Sequence, residues 1–406
     1  MKKIIAVICL IAQIISPLAY PSVDSRNVEI YDLTDDKVIY EVGAEKVVSI
    51  ASLTKIATTI TAIETIEDLD QTVTVTSAML RTVRWDLMKA GLKAGNKVSY
   101  RDLLYASMLP SGADATHVIA IASSGSIDAY VEKMNALAQK LGLSNTHFVN
   151  VTGLDANGHH STADEVRKLL QYALQDPLFR VVFTTKTYTL STGLTVDATL
   201  LHYNTSGVDI SSILGSKTGY TGKAGYCLAS LVDVNGHEML VITLGAKKSG
   251  NVFYHVVDSV ALIDFIKANY SERIIVEPGM LIKELPVYLS ETESVSLYTD
   301  KQLSKYLPGD YDPADVRIVY EGAEELSYKN KPGDLIGSAT YYYKDEQLHR
   351  QEFRLDAELK LSISKFAEKY KKQIILLAAA VVLVIVFIAV LAARSAKRKR
   401  ARRRAQ

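Results

Sequence analysis

Cysteine is almost missing from this 406-residue chain, which has only Cys9 and Cys227. Cys9 falls too early in an N-terminal leader-like stretch, with the wrong neighbours, to be a lipoprotein acceptor. That leaves one thiol for the mature chain, and one thiol forms no internal disulfide. A disulfide-stapled secreted module is therefore excluded, and the core must hold the fold. Gly225-Tyr226-Cys227-Leu228-Ala229-Ser230 reads as a buried strand, not as the surroundings of a reactive thiol. Metal-ligand clusters are also lacking. The eight histidines include no His-x-x-x-His and no Cys-His pairing, and His159-His160 reads as a polar loop pair. Neither a metal nor any other cofactor is expected.

The central part of the chain lacks excess positive charge. The formal net charge of +1 conceals two cations before residue 20 and eight after residue 373, with no acid in either stretch. With those ten set aside, 36 basic and 45 acidic residues remain, a net of −9. Nucleic acid is a poor partner for such a body, because phosphate neutralisation needs clustered Lys and Arg.

Long apolar runs occur only at the two ends. Lys2 and Lys3 precede the apolar stretch Ile4–Ile15, too short to span a bilayer comfortably, and Pro17-Leu18-Ala19 could precede a cleavage site, so residues 1–19 read as an export signal. Residues 374–393 carry no charge, and 20 residues at ~1.5 Å each cross a ~30 Å hydrocarbon core. Arg394, Lys397 and six further cations follow at once. The positive-inside rule puts that tail in the cytoplasm and the preceding body outside the cell membrane.

Between the ends, alternating runs at 28–33 and 37–42 predict a hairpin. Helical patterns follow from Ser52 to about Ile66 and at 100–108, 113–123, 127–141 and 162–174. Strands are expected at 226–233 and 238–245, then a helix at 254–269. This order suggests an antiparallel sheet packed with helices, an α+β fold. Residues 274–361 offer only strand-like stretches (282–289, 294–299, 316–320, 336–343, 348–355) separated by turn residues, as in Lys331-Pro332-Gly333-Asp334, and predict a small all-β domain.

Ser52-Leu53-Thr54-Lys55 opens the first long helix. Residues three apart on a helix share a face, so the two side chains can meet. Lysine can take the serine proton only if its pKa falls from about 10.4 toward about 7, which burial and a second cation both favour. The helix start also offers free N–H groups to an oxyanion. Alone the spacing means little: Ser362-Ile363-Ser364-Lys365 repeats it before the membrane segment, and any one case reads equally as helix surface. Lys217-Thr218-Gly219 occurs once, followed by Tyr220. On a strand edge it could hold a substrate carboxylate while Gly219 admits the substrate backbone, although a turn between strands is the simpler reading of the triplet alone. Ser111, in a loop before a helix, could relay protons or cap the helix. Glu165 reads as a first-turn helix acid.

Together, Ser52-x-x-Lys55, the Ser111 loop and Lys217-Thr218-Gly219 resemble the penicillin-binding proteins and serine β-lactamases. Leu109-Pro110-Ser111-Gly112, Thr146-His147-Phe148, Gly153-Leu154-Asp155 and Lys217–Tyr226 make the chain look like a low-molecular-mass D-alanyl-D-alanine carboxypeptidase over about 25–270. A likeness to the β-rich domain of such enzymes follows through Lys331–Gly337. The resemblance implies Ser52 as nucleophile, Lys55 as general base, Ser111 as proton relay, and Lys217, Thr218, Gly219 and Tyr220 as substrate-binding residues, with backbone N–H groups of Ser52 and Tyr220 as oxyanion hole. It implies peptidoglycan stem peptides as substrate, β-lactams as inhibitors and the cytoplasmic membrane as anchor. The expected division is a signal at 1–19, a catalytic domain at 20–272, a β-rich domain at 273–362, a stalk at 363–373, a membrane helix at 374–393 and a basic cytoplasmic tail at 394–406. Two features depart from the pattern. Ala113 stands where the family's Ser-x-Asn element has Asn, and after Gly245 the chain offers Lys247 and Lys248 where such enzymes often have Arg. Ala113 opens the alternative of a catalytically weak penicillin-binding wall protein. A β-lactamase-like hydrolase is the other alternative, and the lack of a Glu-x-x-Leu-Asn element argues against its class A form.

Overall fold

The computed structural model describes residues 5–6 and 19–403, with side chains placed for 19–398. The expected export signal lies almost wholly outside the described residues. The chain forms two compact units. One comprises residues 17–271 and 306–309, the other 272–305 and 310 onward.

The first unit is built on a five-stranded antiparallel sheet in the order Lys37–Val42, Asn27–Asp32, His237–Ala246, Gly225–Val234, Ile213–Thr221. Its central strands are buried on both faces, and alternation sends successive side chains into different cores. Leu240, Ile242 and Leu244, with Cys227, Ala229 and Leu231, face a large helical layer. Met239, Val241, Leu228 and Val232 face the opposite core with Val256, Leu262 and Ile263 of helix Tyr254–Asn269. Cys227 is fully buried and its thiol is pushed up to about 12 by that burial, so it is a core residue with no thiolate to offer.

Helix Thr54–Thr65 runs through the helical layer. Its sequence, rich in β-branched Thr and Ile, is a poor helix former. Every residue from Thr54 to Ala62 is buried, so packing rather than propensity holds it. Neighbouring helices start on side-chain caps: Ser99, Ser126, Thr162 and Asp176 each accept a backbone N–H. The helices observed at 100–108, 113–124, 127–140, 163–173 and 254–269 agree with the expected ones within two residues.

The second unit is β-rich. Val316–Gly322, Leu335–Tyr343 and Glu346–Arg354 pair antiparallel, and Leu281–Tyr288 pairs with Ser294–Tyr298. Leu285, Leu297, Ile318, Ala339, Tyr341 and Phe353 share one core. Helix Ile363–Lys369 precedes helix Lys371–Arg403, whose segment 371–398 is the one span among the described residues long and apolar enough to cross a membrane.

Candidate active site

The first long helix begins two residues later than its sequence pattern suggests. Ala51–Leu53 form a 3₁₀ turn and the α-helix starts at Thr54. Ser52 therefore sits on a tight turn, preceded by Ala51 at φ +49°, a strained value for a residue with a Cβ. The i, i+3 relation survives: Lys55 Nζ donates to Ser52 Oγ at 2.9 Å. Lys55 Nζ also donates to the carbonyl of Thr152 at 2.8 Å.

Lys55 is 2% exposed. Burial strips water from its ammonium and lowers its pKa to about 7, with the nearby Asp114 carboxylate pulling the other way. Lys217 is fully buried, and burial together with the neighbouring Lys55 charge holds its pKa well below the usual lysine range. A second lysine thus lies near Lys55, and it is burial that lowers the Lys55 pKa.

Three elements outside the Ser-x-x-Lys and Lys-Thr-Gly motifs hold this turn. The Asn150 side-chain oxygen accepts from the backbone N–H groups of Thr152, Gly153 and Leu154, fixing the carbonyl that receives Lys55. His159 Nδ1 accepts from Val149 N–H, so its Nε2 carries the proton and donates to Thr54 Oγ1 at 2.8 Å, while Thr54 Oγ1 donates to the Ala51 carbonyl. Burial lowers the His159 pKa to about 4, which keeps it neutral and in this tautomer. Asp155 accepts from Ser49 Oγ and Thr221 Oγ1, tying the segment before Ser52 to the end of the Lys-Thr-Gly strand.

Two glycines permit the close packing. A Cβ on Gly153, at φ +86°, would lie 1.8 Å from the Ala51 carbonyl oxygen. A Cβ on Gly219 would lie 2.9 Å from the Ser52 nitrogen. Strand Ile213–Thr221 thus runs against the start of the serine turn through Gly219, which has no side chain. Gly153→Ala is expected to cost about 3 kcal/mol or more, since overpacking and left-handed strain add. A denaturant melt showing wild-type stability would contradict this packing.

A cleft of about 140 Å³ opens here. Ser52 and Lys55 form its floor with Ser111 and Ala113, strand residues Thr218, Gly219 and Tyr220 form one wall, and Asp86, Leu87 and Met88 complete it with Tyr203. Six of the seven residues singled out by sequence thus line one cleft. Lys217 does not line it: its Nζ donates to the Thr218 carbonyl from behind the wall. The Lys-Thr-Gly triplet is an edge strand, not a turn. Ser111 is not a helix cap. It has φ +59°, and Gly112 occupies the cap position. Lys247 is mostly exposed and paired with Asp24, and Lys248 lies over the Phe253 ring. Ser249-Gly250-Asn251 forms part of a hairpin turn. Glu165 is structural, accepting from Asn145 N–H and Thr146 Oγ1.

Residues 15–248 match the family model of the D-alanyl-D-alanine carboxypeptidases, peptidase family S11. The chain belongs to that family. Its members are serine-type hydrolases that work through an acyl-enzyme. The family chain is 26% identical over 330 residues to D-alanyl-D-alanine carboxypeptidase DacF of Bacillus subtilis, covering 78% of this chain and 80% of the relative. It is 30% identical over 229 residues to an Escherichia coli protein named D-alanyl-D-alanine endopeptidase, covering 56% and 73%. Its fold is similar to penicillin binding protein 5 of Haemophilus influenzae, with a TM-score of 0.60, 22% identity and coverage of 85% and 99%. The α+β DD-peptidase fold and the serine carboxypeptidase class expected from the motifs agree with these likenesses.

Proposed function

We propose that this family member removes the terminal D-alanine of peptidoglycan stem peptides through an ester on Ser52. The observation that carries the reading is the buried lysine, with its pKa lowered to about 7, 2.9 Å from the serine hydroxyl. A neutral Lys55 takes the Ser52 proton as Oγ attacks the D-Ala–D-Ala carbonyl. The backbone N–H groups of Ser52 and Tyr220 receive the oxyanion. Ser111 passes the proton to the departing amine, and water then releases the shortened peptide. The Thr218 hydroxyl donates to the terminal carboxylate, Lys217 supports that wall from behind through the Thr218 carbonyl, and Gly219 lets the substrate backbone lie against the strand. A β-lactam presents the same carbonyl and carboxylate, so it acylates Ser52. Residues 20–272 form the catalytic domain and 273–362 a β-rich domain; the 374–393 helix anchors both outside the cytoplasmic membrane, with the basic tail inside.

The test is mass spectrometry of the wild-type protein with penicillin, alongside an assay of D-alanine release. One penicillin adduct on the peptide containing Ser52, together with D-alanine from a stem-peptide analogue, is the expected result. Fast penicillin turnover without an adduct would favour a β-lactamase instead. An adduct without D-alanine would favour the idle wall-binding alternative suggested by Ala113.

A further inference from the structure

A second cavity of the first unit, of about 190 Å³, takes no part in the reaction, and no residue lines both it and the catalytic cleft. Arg26, Lys46 and Lys223 line it and no acidic residue does, although acids outnumber bases in the body of the chain. Among the described residues the ammonium groups of Lys46 and Lys223 have no hydrogen bond and no ion pair. Arg26 Nε donates to the Gly245 carbonyl at 3.1 Å, which orients the guanidinium and leaves its other two nitrogens open. The Asp155 carboxylate, which the Lys223 backbone N–H reaches at 3.3 Å, is not in the lining and is shared with the hydroxyls of Ser49 and Thr221. Three like charges around one cavity repel each other, and an anion between them relieves that repulsion.

The cations come from three segments, each tied down by its backbone. Arg26, just before strand Asn27–Asp32, donates its N–H to the Leu244 carbonyl. Lys46 is followed by Val48, which exchanges both backbone hydrogen bonds with Ser161. Lys223 follows strand Ile213–Thr221 and is held through its N–H on Asp155. The buried Asn27 side chain donates to the Gly43 carbonyl at 2.7 Å and closes one side.

We propose that this cavity binds the phosphate group of a small phosphate ester. The guanidinium donates to phosphate oxygens from its two open nitrogens, and the two ammonium groups approach as point charges. A phosphate monoester carries a charge of nearly −2 at neutral pH, so it answers three cations better than a single carboxylate does. The cavity exceeds the catalytic cleft's about 140 Å³, and Val47, Val48 and Ala224 line the rest of it, which gives the esterified carbon chain room and an apolar surface. A soluble ester and an anionic lipid headgroup offer the same group. The site does not depend on the carboxypeptidase reading.

The test is calorimetric titration of the full chain, in a neutral detergent, with glycerol 3-phosphate. Saturable binding of one ester per chain is expected, with none for glycerol, and the affinity should fall about threefold or more when ionic strength rises from about 0.01 M to about 0.15 M. Lys46→Gln/Lys223→Gln removes two ammonium groups that hold nothing else in the fold, so it should leave thermal melting unchanged and weaken binding about tenfold or more. Arg26→Gln should weaken it by a similar factor, and Arg26→Lys should restore part of the loss. Protein acylated by penicillin should bind the ester as tightly as the free protein. Mixed micelles containing phosphatidylglycerol separate the two sources: displacement of glycerol 3-phosphate assigns the cavity to the lipid headgroup, and its retention assigns it to a soluble ester. No saturable binding, full affinity in the folded double variant, or loss of binding on acylation, which would move the anion to the catalytic cleft, would each overturn the proposal.

Discussion

Lys55→Arg is expected to lower the second-order rate of penicillin acylation by about 10²- to 10⁴-fold, the usual worth of a positioned base. It should also erase the dependence of that rate on pH near neutrality. The sign follows from the direction of the shift. The ammonium of Lys55 is penalised by burial, so its pKa is lowered to about 7, and the amine becomes the major form above that value. Only the amine accepts the Ser52 proton. The wild-type rate should therefore rise about tenfold per pH unit below about 7 and flatten above it. A guanidinium stays protonated throughout and has no such limb. Stopped-flow acylation from pH 5 to 9 measures both. A wild-type profile flat across pH 7, or an arginine variant that keeps the rise, would remove Lys55 from the role of base.

The environment that lowers the Lys55 pKa is mostly invisible in the sequence. The Ser52–Lys55 contact was legible because three residues along a helical turn fix a side-chain meeting locally. The carbonyl that takes the second Lys55 hydrogen bond belongs to Thr152, 97 positions away, and its identity as a residue is irrelevant because only its backbone is used. Asn150, which shapes that carbonyl's turn, and His159, which ties Thr54, act across similar separations. Their one local signal was the Gly153-Leu154-Asp155 string, a positive-φ turn with an acid behind it. The cap reading of Ser111 failed for another reason. A serine before a helix suggests a cap, yet Gly112 takes that position and leaves Ser111 in a left-handed conformation facing the cleft.

The fold shows the same division. Helix Tyr254–Asn269 and the strands around 225–246 were legible because long apolar runs with turns at their ends have few alternatives. Strand Ile213–Thr221 was not, because two glycines, a serine and a lysine read as a turn. Tertiary context overrides that reading: the strand pairs along its length with Gly225–Val234, and Gly219 is the residue that fits against Ser52. The short helices Ser77–Arg81, Pro177–Thr184 and Leu200–Tyr203 were missed as well, each being too brief to show a helical period.

Ser52→Ala should abolish the penicillin adduct and lower D-alanine release by about 10⁴-fold or more, since Ser52 is the hydroxyl in hydrogen-bond contact with the Lys55 amine. The loss should come without unfolding. The Ser52 hydroxyl donates one long bond, at 3.4 Å, to the Thr152 carbonyl and accepts one from Lys55, which keeps its own 2.8 Å bond to that carbonyl when the hydroxyl is gone. Nucleophile and base act as a unit, so the double variant Ser52→Ala/Lys55→Ala should be no slower than Ser52→Ala alone. A further drop of tenfold or more in the double variant would mean that Lys55 serves a second nucleophile, such as a bound water, and that the acyl-enzyme is not the only route. Residual labelling of Ser52→Ala by penicillin, mapped to another residue, would move the nucleophile away from this turn. Ser111 would then be the first candidate, as the second serine that lines the cleft.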